Sequence, residues 1–139
     1  HPSGVAVDDA NGVIYVVAAA ESKVRAYKLE GAADSAEPLC SSSGSGDSKL
    51  KYAEACTLLA GKLFVADREH HRVVAFETAD LSFIGAFGKK GNGHGQFNQP
   101  RGLCPLPCAA GPRRLPVRFR YSVGVLRCVA FGRWRTVCK

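Results

Sequence analysis

The feature that most constrains this chain is a repeat that returns every 49 residues. Gly12-Val13-Ile14-Tyr15-Val16-Val17-Ala18 lines up with Gly61-Lys62-Leu63-Phe64-Val65-Ala66-Asp67, and Lys23-Val24-Arg25-Ala26-Tyr27 with Arg72-Val73-Val74-Ala75-Phe76. His1-Pro2-Ser3-Gly4-Val5 comes back two periods later as Gln99-Pro100-Arg101-Gly102-Leu103. Repeat units bury their hydrophobic faces only against neighbours, so a fixed period dictates stacking of like units. Strand-rich units of about 40–50 residues are propeller blades, and about 4–8 of them close a ring. The expected fold is therefore all-β: a partial β-propeller of two four-stranded blades plus the first strand of a third. Blade one spans 1–50, blade two 51–98, and blade three opens over 99–104. The chain has no Met and starts at His1 inside a repeat, which reads as a piece of a larger protein. Its first partners would be the missing blades.

The strands can be read within each period. Gly4-Val5-Ala6-Val7 is a short apolar strand, and Asn11-Gly12 supplies the hairpin turn. Val13 to Ala18 is β-branched and aromatic, hence a buried strand. Val24 to Leu29 alternates between two unlike faces. The fourth strand of blade one is weak, because Gly31 to Pro38 lacks β-formers, and Ser41 to Ser48 reads as a flexible loop. Blade two is cleaner, with strands at 55–59, 62–66, 72–76 and 81–87, a turn at Ala60-Gly61 and a polar turn from Asp67 to His71. Gly88 to Gly95 is a Gly-rich crossing loop at the same phase as the earlier Ser/Gly loop, and both lead to the next inner strand.

Charge divides the chain. Residues 1–104 carry eleven Lys and Arg against all twelve acidic residues, whereas residues 105–139 carry eight basic residues and no acid. The net charge of +7 thus belongs to the tail. The tail also breaks the repeat, since Pro105-Leu106-Pro107 stands where a second strand should approach and Pro is excluded from central strands. An irregular, Arg/Pro/Cys-rich tail over 105–139 resembles translated non-coding sequence, which would place a gene-model or frame error at Cys104 or Pro105. The alternative is a basic arm that binds phosphates. Cys40, Cys56 and Cys104 fit no zinc spacing; small buried cysteines in a reducing compartment, hence the cytoplasm, are expected. No apolar run reaches the about 20 residues needed to span a membrane.

Phe64-Val65-Ala66-Asp67, then His71-Arg72-Val73-Val74-Ala75-Phe76, then Gly95-Gln96-Phe97-Asn98-Gln99-Pro100-Arg101-Gly102, resembles an NHL repeat. The resemblance covers residues 1–104 and is strongest over 61–103. It implies a β-propeller, commonly of six blades. Blade one departs from the pattern, with Ala18 in place of Asp and Lys23 in place of Arg, and His70 stands where the family often has Asn.

Asp67 and Arg72 are the sharpest polar pair. A carboxylate at the end of one strand can accept turn N–H groups while a guanidinium at the start of the next reaches back across the hairpin. The expected role is a structural turn pair rather than chemistry. Arg68, Glu69, His70, His71, Lys89 and Lys90 form a possible charged binding rim, the place where propellers carry function on loops. The competing reading of these six is a solvated surface. The Gly-rich run around His94 lacks the Gly-Lys-Ser/Thr ending of a phosphate loop. No nucleophile–base constellation, metal or cofactor site can be assembled from the sequence.

Three functions compete. The resemblance implies a non-catalytic protein-interaction scaffold, such as the substrate-recognition part of a ubiquitin-ligase-like protein. Some propellers of this kind bind RNA, which the near-neutral charge of residues 1–104 does not favour. The third is an enzyme similar to the peptide-amidating lyase, in which Arg68 would face substrate. That enzyme places zinc-binding His after Pro at inner-strand starts, where this chain has Ser3 and Arg101. This departure weighs against catalysis.

Overall fold

The computed structural model describes residues 1–29, 38–42 and 46–104, and the backbone of strands at 118–121, 124–131 and 135–138. Two antiparallel four-stranded sheets carry the repeats. Blade one comprises β1 (Pro2–Asp8), β2 (Val13–Ala18), β3 (Lys23–Lys28) and β4 (Cys40–Ser41), in that order across the sheet. Blade two comprises β5 (Ala53–Leu59), β6 (Lys62–Asp67), β7 (Arg72–Glu77) and β8 (Phe83–Phe87), likewise in sequence order. This up-and-down order is what short hairpin loops enforce. The outer strand β4 has two residues, in keeping with the poor β-formers before it; residues 30–37 and 43–45 of the expected weak strand and loop lie outside the described residues.

The spacing of 49 holds for β2 and β3 but not for the inner strands. Gly4 pairs with Val17, and Ala55 pairs with Ala66, so Gly4 corresponds to Ala55, an offset of 51. The cause is the first hairpin. Asp8 pairs with Val13 across a four-residue loop, whereas Leu59 pairs with Lys62 across only Ala60-Gly61. Ala60 and Gly61 both have positive φ (50° and 70°), the two-residue turn whose twist suits a hairpin. The inner-strand starts therefore align as Pro2-Ser3-Gly4, Ala53-Glu54-Ala55 and Pro100-Arg101-Gly102. Tyr52 and Gln99, one residue before the second and third of these triplets, share a left-handed backbone (φ 52° and 50°).

The blades pack face to face. Tyr15, Val17, Val24 and Ala26 of blade one meet Leu63, Val65, Val74 and Phe76 of blade two, with Leu50, Ala53, Cys56 and Leu81 completing one core. Among the described residues three ties cross this interface: Tyr15 Oη donates to Thr78 O at 2.9 Å, Ser3 Oγ to Ala53 O at 2.9 Å, and Cys56 Sγ contacts Tyr15 O at 3.9 Å. Gly4 lets the inner strands approach, because a Cβ there would lie 2.8 Å from Ala55 Cα and from Glu54 O. The far face of blade two (Phe64, Val73 and Ala75) forms a second core with Phe97 and with half-buried Leu59, Ile84, Phe87 and Leu103. Since Phe64, Val73 and Ala75 are the repeat equivalents of Tyr15, Val24 and Ala26, the second core repeats the first one blade further on.

Two regions differ from the sequence expectation. The Gly-rich crossing segment is not all loop: β9 (Lys89–Lys90) pairs in parallel with β10 (Gln96–Phe97). Gly88, at φ 99°, sits against the Phe97 ring, where any side chain would collide. The tail, expected to be irregular, carries a three-stranded antiparallel sheet of β11 (Arg118–Tyr121), β12 (Gly124–Phe131) and β13 (Arg135–Cys138). The Pro-rich start obscured the aromatic and β-branched residues beyond it, such as Phe119, Val125, Val129 and Val137, which suit paired strands. Its first part, residues 105–117, lies outside the described residues.

Candidate functional site

The turns between β2 and β3 and between β6 and β7 lie on one rim, where the inner strands also begin. Asp67 ends β6 with a fully buried side chain. Its Oδ2 accepts from Arg72 Nε at 2.7 Å and contacts His70 Nδ1 at 2.8 Å; its Oδ1 accepts from the backbone N–H of Lys51 at 2.7 Å. Arg72 also donates from Nη2 to Lys49 O at 2.8 Å. The carboxylate thus ties the turn to the segment entering the inner strand, rather than to N–H groups within the turn. Blade one has Ala18 and Lys23 at these positions and cannot build the same cluster.

Of the other rim residues, His71 has a different partner from His70. It has φ 54°, and its Nδ1 accepts from the backbone N–H of Gln99 at 3.1 Å, which links the turn to the start of blade three. Lys89 and Lys90 are exposed on β9. His94 is exposed in the crossing segment. Arg68 turns inward: its Nη1 donates to Glu54 Oε1 at 2.8 Å, and its Nε lies 3.9 Å from Glu69 Oε1. Arg68 Nε is buried with no hydrogen-bond partner. Arg101 Nε stands 3.8 Å from the other oxygen of Glu54.

These residues frame an open cleft of about 320 Å³ lined by His1, Ser3, Ala19, Tyr52, Glu54, Arg68 and Arg101. The lining is set by the repeat. Ser3, Glu54 and Arg101 are equivalent inner-strand positions, His1 and Tyr52 are equivalent, and so are Ala19 and Arg68. In β1 and β5 the pairing register slips between Pro2 and Gly4 and between Ala53 and Ala55. Ser3 and Glu54 are thus the extra residues of β-bulges, a device that re-aims side chains.

The sequence pointed to Arg68 but missed the role of Ser3, Tyr52, Glu54 and Arg101 as one constellation. A strict 49-residue comparison sets Ser3 against Tyr52. The Pro-x-Gly pattern sets Ser3 against Arg101, but Ala53-Glu54-Ala55 carries neither Pro nor Gly, and only the strand pairing with its shorter second hairpin sets Glu54 beside them.

The cleft presents hydroxyl, carboxylate and guanidinium groups. Ser3 Oγ donates to backbone carbonyls, not to a base. Its wall does not fit zinc either: one of the three equivalent positions is a guanidinium, and the Glu54 carboxylate is turned to two arginines. Burial pushes the Cys56 thiol up to about 12, which favours its protonated form. Among the described residues no helix is long and apolar enough to cross a membrane.

No protein-family model matches the chain, and no curated protein matches it. Solved structures do. Sqt1 of Saccharomyces cerevisiae matches with a TM-score of 0.60 at 8% identity, over 86% of this chain and 28% of that one. Hydrazine synthase of Kuenenia stuttgartiensis matches with a TM-score of 0.58 at 12% identity, over 99% of this chain and 38% of that one. The chain thus spans well under half the length of either structure. At such low identity the likeness speaks to fold alone, and with the two stacked four-stranded sheets it identifies the chain as part of a β-propeller.

Proposed function

We propose that this chain belongs to an NHL-type propeller scaffold that holds a protein partner on the rim bearing the Asp67–His71 turn. One observation carries the reading: the rim has a cleft assembled from repeat-equivalent positions and lined by the polar side chains of Ser3, Glu54, Arg68 and Arg101. Asp67 and Arg72 act as scaffold, holding the turn. Arg68, Glu69, His70, His71, Lys89 and Lys90 supply the surface around the cleft. Substrate recognition in a ubiquitin-ligase-like assembly is one setting for such a rim.

Further blades are also partners in this reading. Val5 and Val7 on β1 are 54% and 51% exposed, whereas their equivalents in β5, Cys56 and Leu58, are buried and half-buried against blade one. The open face of blade one is where another blade docks.

The test compares proteins retained by the chain and by two variants. A Glu69→Lys/Lys89→Glu/Lys90→Glu rim variant should lose a protein that the parent holds. An Asp9→Lys variant, altered on the opposite rim, should keep it. Equal retention by all three refutes the reading. Retention of RNA through Lys89 and Lys90 would favour the RNA-binding alternative, and zinc-dependent lyase activity the enzyme.

A further inference from the structure

We propose that the rim cleft is a carboxylate-binding site, in which Arg68 and Arg101 hold a carboxylate group of a peptide and Tyr52 borders its mouth. The inference rests on the protein-binding reading above and specifies what the rim recognises.

The argument starts from unused donors. A guanidinium offers five N–H groups in a fixed fork and no acceptor. Among the described residues, Arg68 spends one of its five on Glu54, and Arg101 makes no hydrogen bond, only the 3.8 Å ion pair. Arg68 Nε is buried without a hydrogen bond, with Glu69 Oε1 3.9 Å away, a state that in folded proteins calls for an explanation. Both oxygens of Glu54 are already directed at these two side chains. What the cleft offers a visitor is therefore donors.

The geometry is built rather than accidental. Bulges place Ser3 and Glu54 at the cleft wall, and the left-handed backbone of Tyr52 places that residue beside them. Arg68 is held from behind by the turn that Asp67 anchors, and Arg101 comes from the next inner strand. Two arginines from different blades thus converge on one opening.

The chemistry of the visitor follows. A carboxylate accepts only, and its two oxygens match the arginine fork. A phosphate dianion would meet stronger repulsion from the Glu54 carboxylate in the same wall. A volume of about 320 Å³ lies at the low end of ligand pockets, room for a chain end or one acidic side chain rather than a nucleotide. The carboxylate can come from a C-terminus or from a Glu or Asp side chain.

Arginine Nε–Hε signals of the isotope-labelled chain read the test. Five probes are titrated: a peptide with a free C-terminus and no acidic residue, a C-amidated peptide with one Glu, the same peptide with Gln, inorganic phosphate, and a short uridine RNA. The Arg68 and Arg101 signals should shift saturably with one or both carboxylate peptides and not with the Gln peptide; which peptide acts identifies the source. Arg101→Gln and Tyr52→Ala, both at exposed positions, should weaken binding about tenfold with the circular dichroism unchanged, whereas Asp9→Lys on the opposite rim should not. Three results overturn the proposal: equal binding of the Gln peptide, no saturable shift up to about 10 mM of either carboxylate peptide, or tighter binding of phosphate or RNA at the same arginines. If the peptides fail while the rim variant still loses its protein partner, only the carboxylate assignment falls. If the rim variant loses nothing as well, the scaffold reading falls with it.

Discussion

Replacing Asp67 with Ala removes the acceptor on which three donors converge, and the structure allows its cost to be worked out. His70 is the least affected, because its exposed ring can turn to water. Arg72 keeps its bond to Lys49 O but loses the one at Nε, in a side chain only 18% exposed. The backbone N–H of Lys51 loses its acceptor. Breaking a buried charge pair by deleting one partner costs about 3–5 kcal/mol. The retained Lys49 contact places this case near the low end, at about 3 kcal/mol. With an m-value of about 2 kcal/mol/M, the urea midpoint should fall by about 1.5 M. The assay is equilibrium urea unfolding followed by far-UV circular dichroism, on this chain or any longer one containing both blades. A double-mutant cycle with Arg72→Ala should show coupling above about 1 kcal/mol. A midpoint unchanged by Asp67→Ala, or additive single variants, would refute the view that this cluster holds the turn.

Gly4→Ala should destabilise by about 1–3 kcal/mol, since its Cβ would press on the backbone of Ala55 and Glu54, while Gly102→Ala, with no atom within 4 Å, should leave the urea midpoint unchanged. Ala60→Asn should stabilise by about 0.5 kcal/mol in the same assay, because Asn accepts positive φ more readily than Ala. Tyr15→Phe should cost about 1 kcal/mol through the lost bond to Thr78 O, and an unchanged midpoint would remove that bond as an inter-blade tie. The folded Cys56 thiol keeps its proton up to about pH 12 while the unfolded thiol releases it near 9.0, so stability should fall as pH rises above 9.0. Alkylation followed by peptide mapping should accordingly modify exposed Cys104 well before Cys56.

Much of the fold was legible because it depends on short-range pattern. The β-branched runs of β2, β6 and β7 and the Ala60-Gly61 turn were each readable where they stand. β9 and β10 were not, because their pairing depends on Phe97 docking against Gly88, a contact invisible to local composition. At the rim, the Asp67–Arg72 contact was foreseeable from adjacency across one turn. The third donor, the Lys51 N–H, was not, since it arrives from 16 residues away.

The cleft marks the division most clearly. The sequence by itself determined the repeat, the strand order that short hairpins impose, and the side chains available at each phase of the period. It could not set the phase of the inner strands. That register was decided by a hairpin two residues longer in blade one and by bulges at Ser3 and Glu54. A two-residue shift keeps each side chain on its own face but moves it one position along that face, and so decides which residues meet. Only the stacked blades bring Ser3, Glu54 and Arg101 to one opening, and only there do Arg68 and Arg101 both meet Glu54.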